Sequence, residues 1–198
     1  AMMAFALTVC FAAFDWLMSL DPHWFSSIYG IYFFSGAVVS FFAATCLAVF
    51  ALEKRGPLRG VIQTKHVHDL GKLLFGFTFF WAYIAFSQYL LIWYANIPEE
   101  TVWYLTRQTG GWQWVTVFLF VGHFALPFLA LMSRAAKRSR LSLGFWSVWL
   151  LAMHWMDLYW LIVPGHETTS IWPAPSDLLL TLGIAALYLA GALHMARG

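Results

Sequence analysis

From Leu141 to Pro164 the chain reads LSLGFWSVWLLAMHWMDLYWLIVP, with no Lys or Arg and a single acidic residue. A stretch of this length and apolarity is expected to cross a bilayer. Hydrocarbon offers the backbone no water, so the crossing must be a helix that satisfies its own N–H and C=O groups. Near the middle stand His154 and Asp157, three residues apart and therefore on one helical face. An ionisable pair at that depth is costly and usually faces a bundle interior or a water path. Two readings follow. Either the pair handles protons, or it only locks two helices together.

The rest of the chain is of the same kind. Its 198 residues are 62% hydrophobic and 10% charged, against about 25% charged in a soluble domain. The 12 Trp and 19 Phe suit helices bordered by lipid and anchored at its interfaces. The expected fold is all-α: an integral membrane protein of six transmembrane helices in one antiparallel bundle, a single domain over residues 1–198. The spans are expected at about 1–20, 27–52, 67–95, 112–133, 141–164 and 176–196. Gly56-Pro57 ends the second span, and the third reaches beyond the bilayer at its His66–Lys72 start. The connections are too short for a separate domain.

Charge orients these spans. Lys54, Arg55, Arg59, Lys65 and Lys72 gather in one place, Arg134, Lys137, Arg138 and Arg140 in another, and Arg197 ends the chain. Only Arg107 falls elsewhere. With six spans, the basic loops and the carboxy terminus lie on one side, which the positive-inside rule makes cytoplasmic. The basic residues then face anionic lipid, and nothing points to nucleic acid. Cys10 and Cys46 lie in apolar runs without a CxxC or CxxCH context, so they read as buried free thiols, with no metal, iron–sulfur or c-type haem motif. The opening AMMAFALTVC lacks a basic n-region and a cleavage pattern, and reads as a helix entered partway. The chain is therefore expected to be part of a longer subunit.

Several polar residues are candidates for chemistry. His123 lies in the middle of the fourth span and His154 in the middle of the fifth. The short RAAKRSR connection makes these antiparallel neighbours, so the two histidines come to one depth, with Asp157 about one turn further out. His, Asp and water at mid-membrane are the parts of proton relays. Gly76, Tyr83, Ser87 and Tyr94 share a face of the third span, with Gln88 beside it. They line a hydrated path or bond between helices. Asp15 stands in an apolar run near the outer end of the first span, where it pairs with a neighbour or opens a proton path. In the HVHD cluster, solvated interfacial groups are favoured over a metal site. Asp177 reads as a helix cap after Pro175. The outer loop Gly165–Pro175 holds His166 and Glu167. Ser35, Gly36, Ala37, Ser40, Ala43, Ala44 and Thr45 suit close helix approach.

Three stretches carry a resemblance: FDWLMSLDPHWFSSIYG (Phe14 to Gly30), FGFTFFWAYIAFSQYLLIWYANIPEET (Phe75 to Thr101) and GHFALPFLALMSR (Gly122 to Arg134). Together they resemble the alternative complex III family of bacterial quinol:cytochrome c oxidoreductases, and within it the second NrfD-like membrane subunit, quinone-binding subunit 2. Members have about ten transmembrane helices around two four-helix bundles, so six would correspond to the carboxy-terminal portion. The resemblance implies the bacterial cytoplasmic membrane as location. It also implies a complex that oxidises menaquinol or ubiquinol and passes electrons to iron–sulfur clusters and c-type haems on partner subunits. Those partners are an iron–sulfur protein, c-type cytochromes and the sister NrfD-like subunit. This chain is expected to bind no cofactor and to hold no redox centre. The implied role is proton conduction, carried by Asp15, His123, His154 and Asp157, with Tyr83 and Ser87 as further members.

Two other readings stand beside conduction. The chain binds quinol directly, which calls for an apolar cleft open to lipid with a His or Asp at its end. Or it is a scaffold for the redox subunits, and its interior polar groups serve only as helix glue.

Overall fold

The computed structural model describes residues 2–56, 58–165, 171 and 173–195. Among them the secondary structure is entirely helical. Helix α1 spans Met2–Trp16 and α2 Tyr29–Arg55. Helix α3 spans Thr64–Ala95, 32 residues and so about 48 Å at 1.5 Å per residue. Four segments are long and apolar enough to cross a membrane: Met3–Leu20, Tyr29–Lys54, Thr64–Ala95 and Trp112–Met132. The stretch that carries His154 and Asp157 forms α8, Arg140–Ile162. At 23 residues it is long enough, but it is not among those four, because its Trp, His and Asp side chains lower its mean hydropathy. A membrane-type helical protein is therefore what the apolar helices support. His166, Glu167 and Arg197 lie outside the described residues.

The region expected to be a loop after the third span contains a helix. Asn96 turns the chain in the left-handed region, at φ 49°. Helix α4 then runs Pro98–Thr106, with Pro98 in its first turn beside Glu99 and Glu100. Proline has no N–H to waste there, and the two carboxylates oppose the positive end of the helix dipole. Trp103 pins α4 down: its ring stacks on Trp24 with centroids 4.5 Å apart, and Trp24 Nε1 donates to the Glu100 carbonyl at 3.1 Å.

The fourth span is not one regular helix. Helix α5 covers Trp112–Leu119, a π-helical turn covers Phe120–Ala125, and α6 covers Leu126–Met132. Pro127 accounts for the break, since its ring clashes with the carbonyl four residues back, that of His123, and cannot donate to it. The Gly122 carbonyl within this turn accepts from Trp149 Nε1 on α8 at 2.7 Å. Gly122 also admits Met153, whose Sδ lies 2.7 Å from where a Cβ would stand. Together these contacts hold the His123 turn against α8.

Short α7, Arg134–Arg138, leads into α8. At the basic-loop end, Arg140 makes a fork of two 2.9 Å hydrogen bonds to Glu53 of α2, and a third to the Ile62 carbonyl. Val39, Ala43, Cys46, Leu74, Leu131, Leu143 and Leu150 are wholly buried in this half of the bundle. The hydroxyls of Thr78 and Ser147 donate back to their own helices there. Helix α9, Pro175–Met195, belongs to a separate compact unit beginning at Glu167. Its Asp177, the third residue of the helix and not its cap, accepts from the Ala174 amide at 3.0 Å, the returning half of a capping box.

Candidate functional site: a buried carboxylate at the floor of an aromatic cavity

Asp157 is 1% exposed. Its helix faces α2 and α3, and both supply a donor. The Tyr32 hydroxyl donates to Oδ1, and Trp81 Nε1 donates to Oδ2 at 3.1 Å. One turn back on α8, His154 Nδ1 stands 3.7 Å from Oδ2 and has no hydrogen-bond partner among the described residues. The imidazole fits there because α2 has Gly36 at the contact. A Cβ on Gly36 would lie 2.5 Å from His154 Cε1 and 2.8 Å from Nδ1, so any side chain would displace the ring. Close approach by small residues of α2 was expected from the sequence, and Gly36 is where it matters.

His123 is fully buried, and neither ring nitrogen has a partner among the described residues. Its ring lies 3.8 Å from that of Trp81 and 6.3 Å from that of His154, measured between centroids. The structure thus gathers His123, His154 and Asp157 around the Trp81 indole.

The other expected members lie away from this cluster, Tyr83 among them on the rim of the cavity that Asp157 lines. Asp15 is exposed on α1, because α1 packs through Cys10 and Phe14, which close on Gly30 of α2. The stripe Gly76, Tyr83, Ser87 and Tyr94 does not face the bundle interior. The inward face of α3 is Gly71, Leu74, Thr78, Trp81, Ile84, Gln88 and Ile92, where the larger apolar groups and the tryptophan pack. Tyr83 is 59% exposed, and Ser87 is half-buried and outside the cavity described next.

A cavity of about 400 Å³ opens beside Asp157. Phe79, Tyr83, Phe86 and Phe120 stand at its outward rim, all more than half exposed. Trp81, Tyr89, Tyr104 and Trp160 wall it, and Asp157, Gln88 and Arg107 are its buried polar members. Gln88 Oε1 has no hydrogen-bond partner among the described residues.

Arg107 was legible only as the one basic residue away from the basic loops; its burial was not. It is 1% exposed and caps the cavity at the α4 end. Nε donates to the Trp160 carbonyl at 3.1 Å, Nη1 to Trp103 at 2.8 Å and Nη2 to Leu161 at 2.7 Å. These are carbonyls at the end of α8 and within α4, where helix dipoles present negative charge. The guanidinium lies 3.4 Å from the Trp103 ring centroid and 5.3 Å from that of Trp160, within cation–π range. Burial pushes its pKa down to about 9, which leaves it a cation at neutral pH. No carboxylate lies within salt-bridge distance of it among the described residues.

The arrangement offers a flat, aromatic slot with a proton acceptor at one place and a cation at another. Among the described residues there is no cluster of three metal-ligating side chains. Compared with protein-family models and with curated proteins, the sequence matches none.

Proposed function

We propose that this chain is a multi-pass membrane subunit of a bacterial respiratory quinol:acceptor oxidoreductase, and that its cavity takes up quinol with Asp157 as the proton acceptor. On this reading six helices cross the cytoplasmic membrane in an NrfD-like bundle. The basic loops lie inside, and the Arg107 end of the cavity lies towards the outside. The observation that carries the proposal is the aromatic cavity with the Asp157 carboxylate on its floor. An apolar slot with few polar groups suits an isoprenoid-substituted ring. Oxidation of quinol to quinone releases two electrons and two protons. The electrons pass to iron–sulfur clusters and c-type haems on partner subunits. The first proton goes to Asp157 and on to His154, 3.7 Å away, and the second follows to Asp157 once the first has left it.

A second reading, proton conduction across the whole membrane, is favoured by both ring nitrogens of His123 and Nδ1 of His154, which have no hydrogen-bond partner among the described residues. The wholly buried apolar residues of the basic-loop half weigh against a continuous path through this chain alone, since a relay needs polar groups or water at hydrogen-bond spacing.

The test is Asp157→Asn in the whole complex, reconstituted in liposomes with quinol oxidation and internal pH followed together. Loss of both, with assembly intact, supports quinol chemistry at this site. Retained electron transfer with lost proton movement supports conduction instead. No change in either makes the pair structural.

A further inference from the structure

We infer that Arg107 reads a second oxygen on the ligand, so that the cavity selects rings with oxygen substituents at both ends over rings with only one. This rests on the quinol reading of the cavity and adds a specificity residue to it. Three observations carry the inference.

The first is unused donor capacity. A guanidinium has five N–H groups, and Nε, Nη1 and Nη2 of Arg107 each donate one hydrogen bond. One N–H on each terminal nitrogen is left without an acceptor among the described residues. The second is charge. The cation is buried among carbonyls, indole rings and tyrosines, and the nearest acidic influence, Asp21, acts on it from beyond ion-pair distance. A buried cation whose direct partners are neutral carbonyls and rings gains from any further oxygen lone pair. The third is placement. Asp157 and Arg107 line the same cavity. Arg107 is tied to the carbonyls of Trp160 and Leu161, about one helical turn beyond Asp157 on α8. A hydroxyl that donates to Asp157 therefore leaves the far side of a flat ring facing the guanidinium.

Asp157 and Arg107 thus divide the recognition. The carboxylate needs a donor, and the guanidinium needs an acceptor. A hydroquinone satisfies both, a simple phenol only the first. Leaving a buried polar group unpaired is what makes such discrimination steep.

The experiment uses the intact complex with the electron acceptor left out. A photoreactive quinone is bound before illumination, and the suppression of its labelling of this chain by decyl-hydroquinone and by 4-decylphenol is compared. The wild type is expected to bind the hydroquinone about tenfold or more tighter, the range of a hydrogen bond to a charged group. Arg107→Gln is expected to bring the two ligands within about threefold, mainly by weakening the hydroquinone. Arg107→Lys, a point charge without the fork, is expected to fall between. The wild-type comparison needs no substitution, so it decides the matter even if the variants fail to assemble. Equal binding of the two ligands by the wild type, or an undiminished preference in Arg107→Gln, overturns the role of Arg107 while leaving quinol binding standing. A photoreactive quinone that labels only other subunits overturns both.

Discussion

The Tyr32 hydroxyl on α2 donates to the Asp157 carboxylate on α8, across 125 residues of sequence. With Trp81 Nε1 on the other oxygen, this bond fixes the carboxylate between α2 and α3. Tyr32→Phe keeps the ring and removes the donor. It is expected to cost about 1.5–3 kcal/mol, the range for a hydrogen bond to a charged group, seen as a lower thermal midpoint of the purified complex. Quinol oxidation is expected to fall less than in Asp157→Asn, since the carboxylate itself survives.

Gly36 is the second support of the site. Gly36→Ala sets a methyl group 2.5–2.8 Å from the His154 ring, and overpacking of this kind costs about 1–3 kcal/mol. The ring must swing away from Asp157, so activity and stability are expected to drop together. Gly76→Ala is the control, because nothing lies within 4 Å of the added carbon. It is expected to leave both unchanged when thermal midpoint and turnover are measured side by side.

The π-helical turn at His123 gives a third expectation. Gly122→Ala drives a methyl into Met153, whose Sδ stands 2.7 Å away. The turn is expected to part from α8 and break the Trp149 bond to the Gly122 carbonyl. A changed near-ultraviolet tryptophan signal, together with a loss of about 1–3 kcal/mol, would register this.

The Arg140–Glu53 fork is expected to contribute little despite its geometry. The two side chains are 41% and 22% exposed, and solvent screens such pairs to about 1 kcal/mol or less. Arg140→Gln is therefore expected to shift the thermal midpoint only slightly, and less still at high salt.

Much of this architecture could be read from the chain. Apolar runs gave the helices to within a few residues, and the 154/157 spacing gave a shared face. Pro98-Glu99-Glu100 is also a recognisable helix start, and it marks α4 inside what otherwise passes for a loop. The partners of Asp157 were hidden for a physical reason. Tyr32 and Trp81 meet it only through packing of three helices, and no local pattern encodes that. Arg107 was visible as a lone cation but not as a buried one, since its acceptors are backbone carbonyls, which every residue has. Of the polar stripe, Tyr83 stands on the cavity's rim and Ser87 outside it, because periodicity gives a face without saying which way it points. Asp15, singled out because it stands in an apolar run, is exposed because its helix packs through Cys10 and Phe14 instead.

The most direct measurement is covalent mapping of the ligand. The complex is labelled with an azido-quinone, illuminated, digested and sequenced by mass spectrometry. The account requires label within residues 79–89 and 103–124 of this chain, suppressed by excess quinol and reduced in Asp157→Asn. Label confined to other subunits, or label here that excess quinol does not suppress, would contradict it.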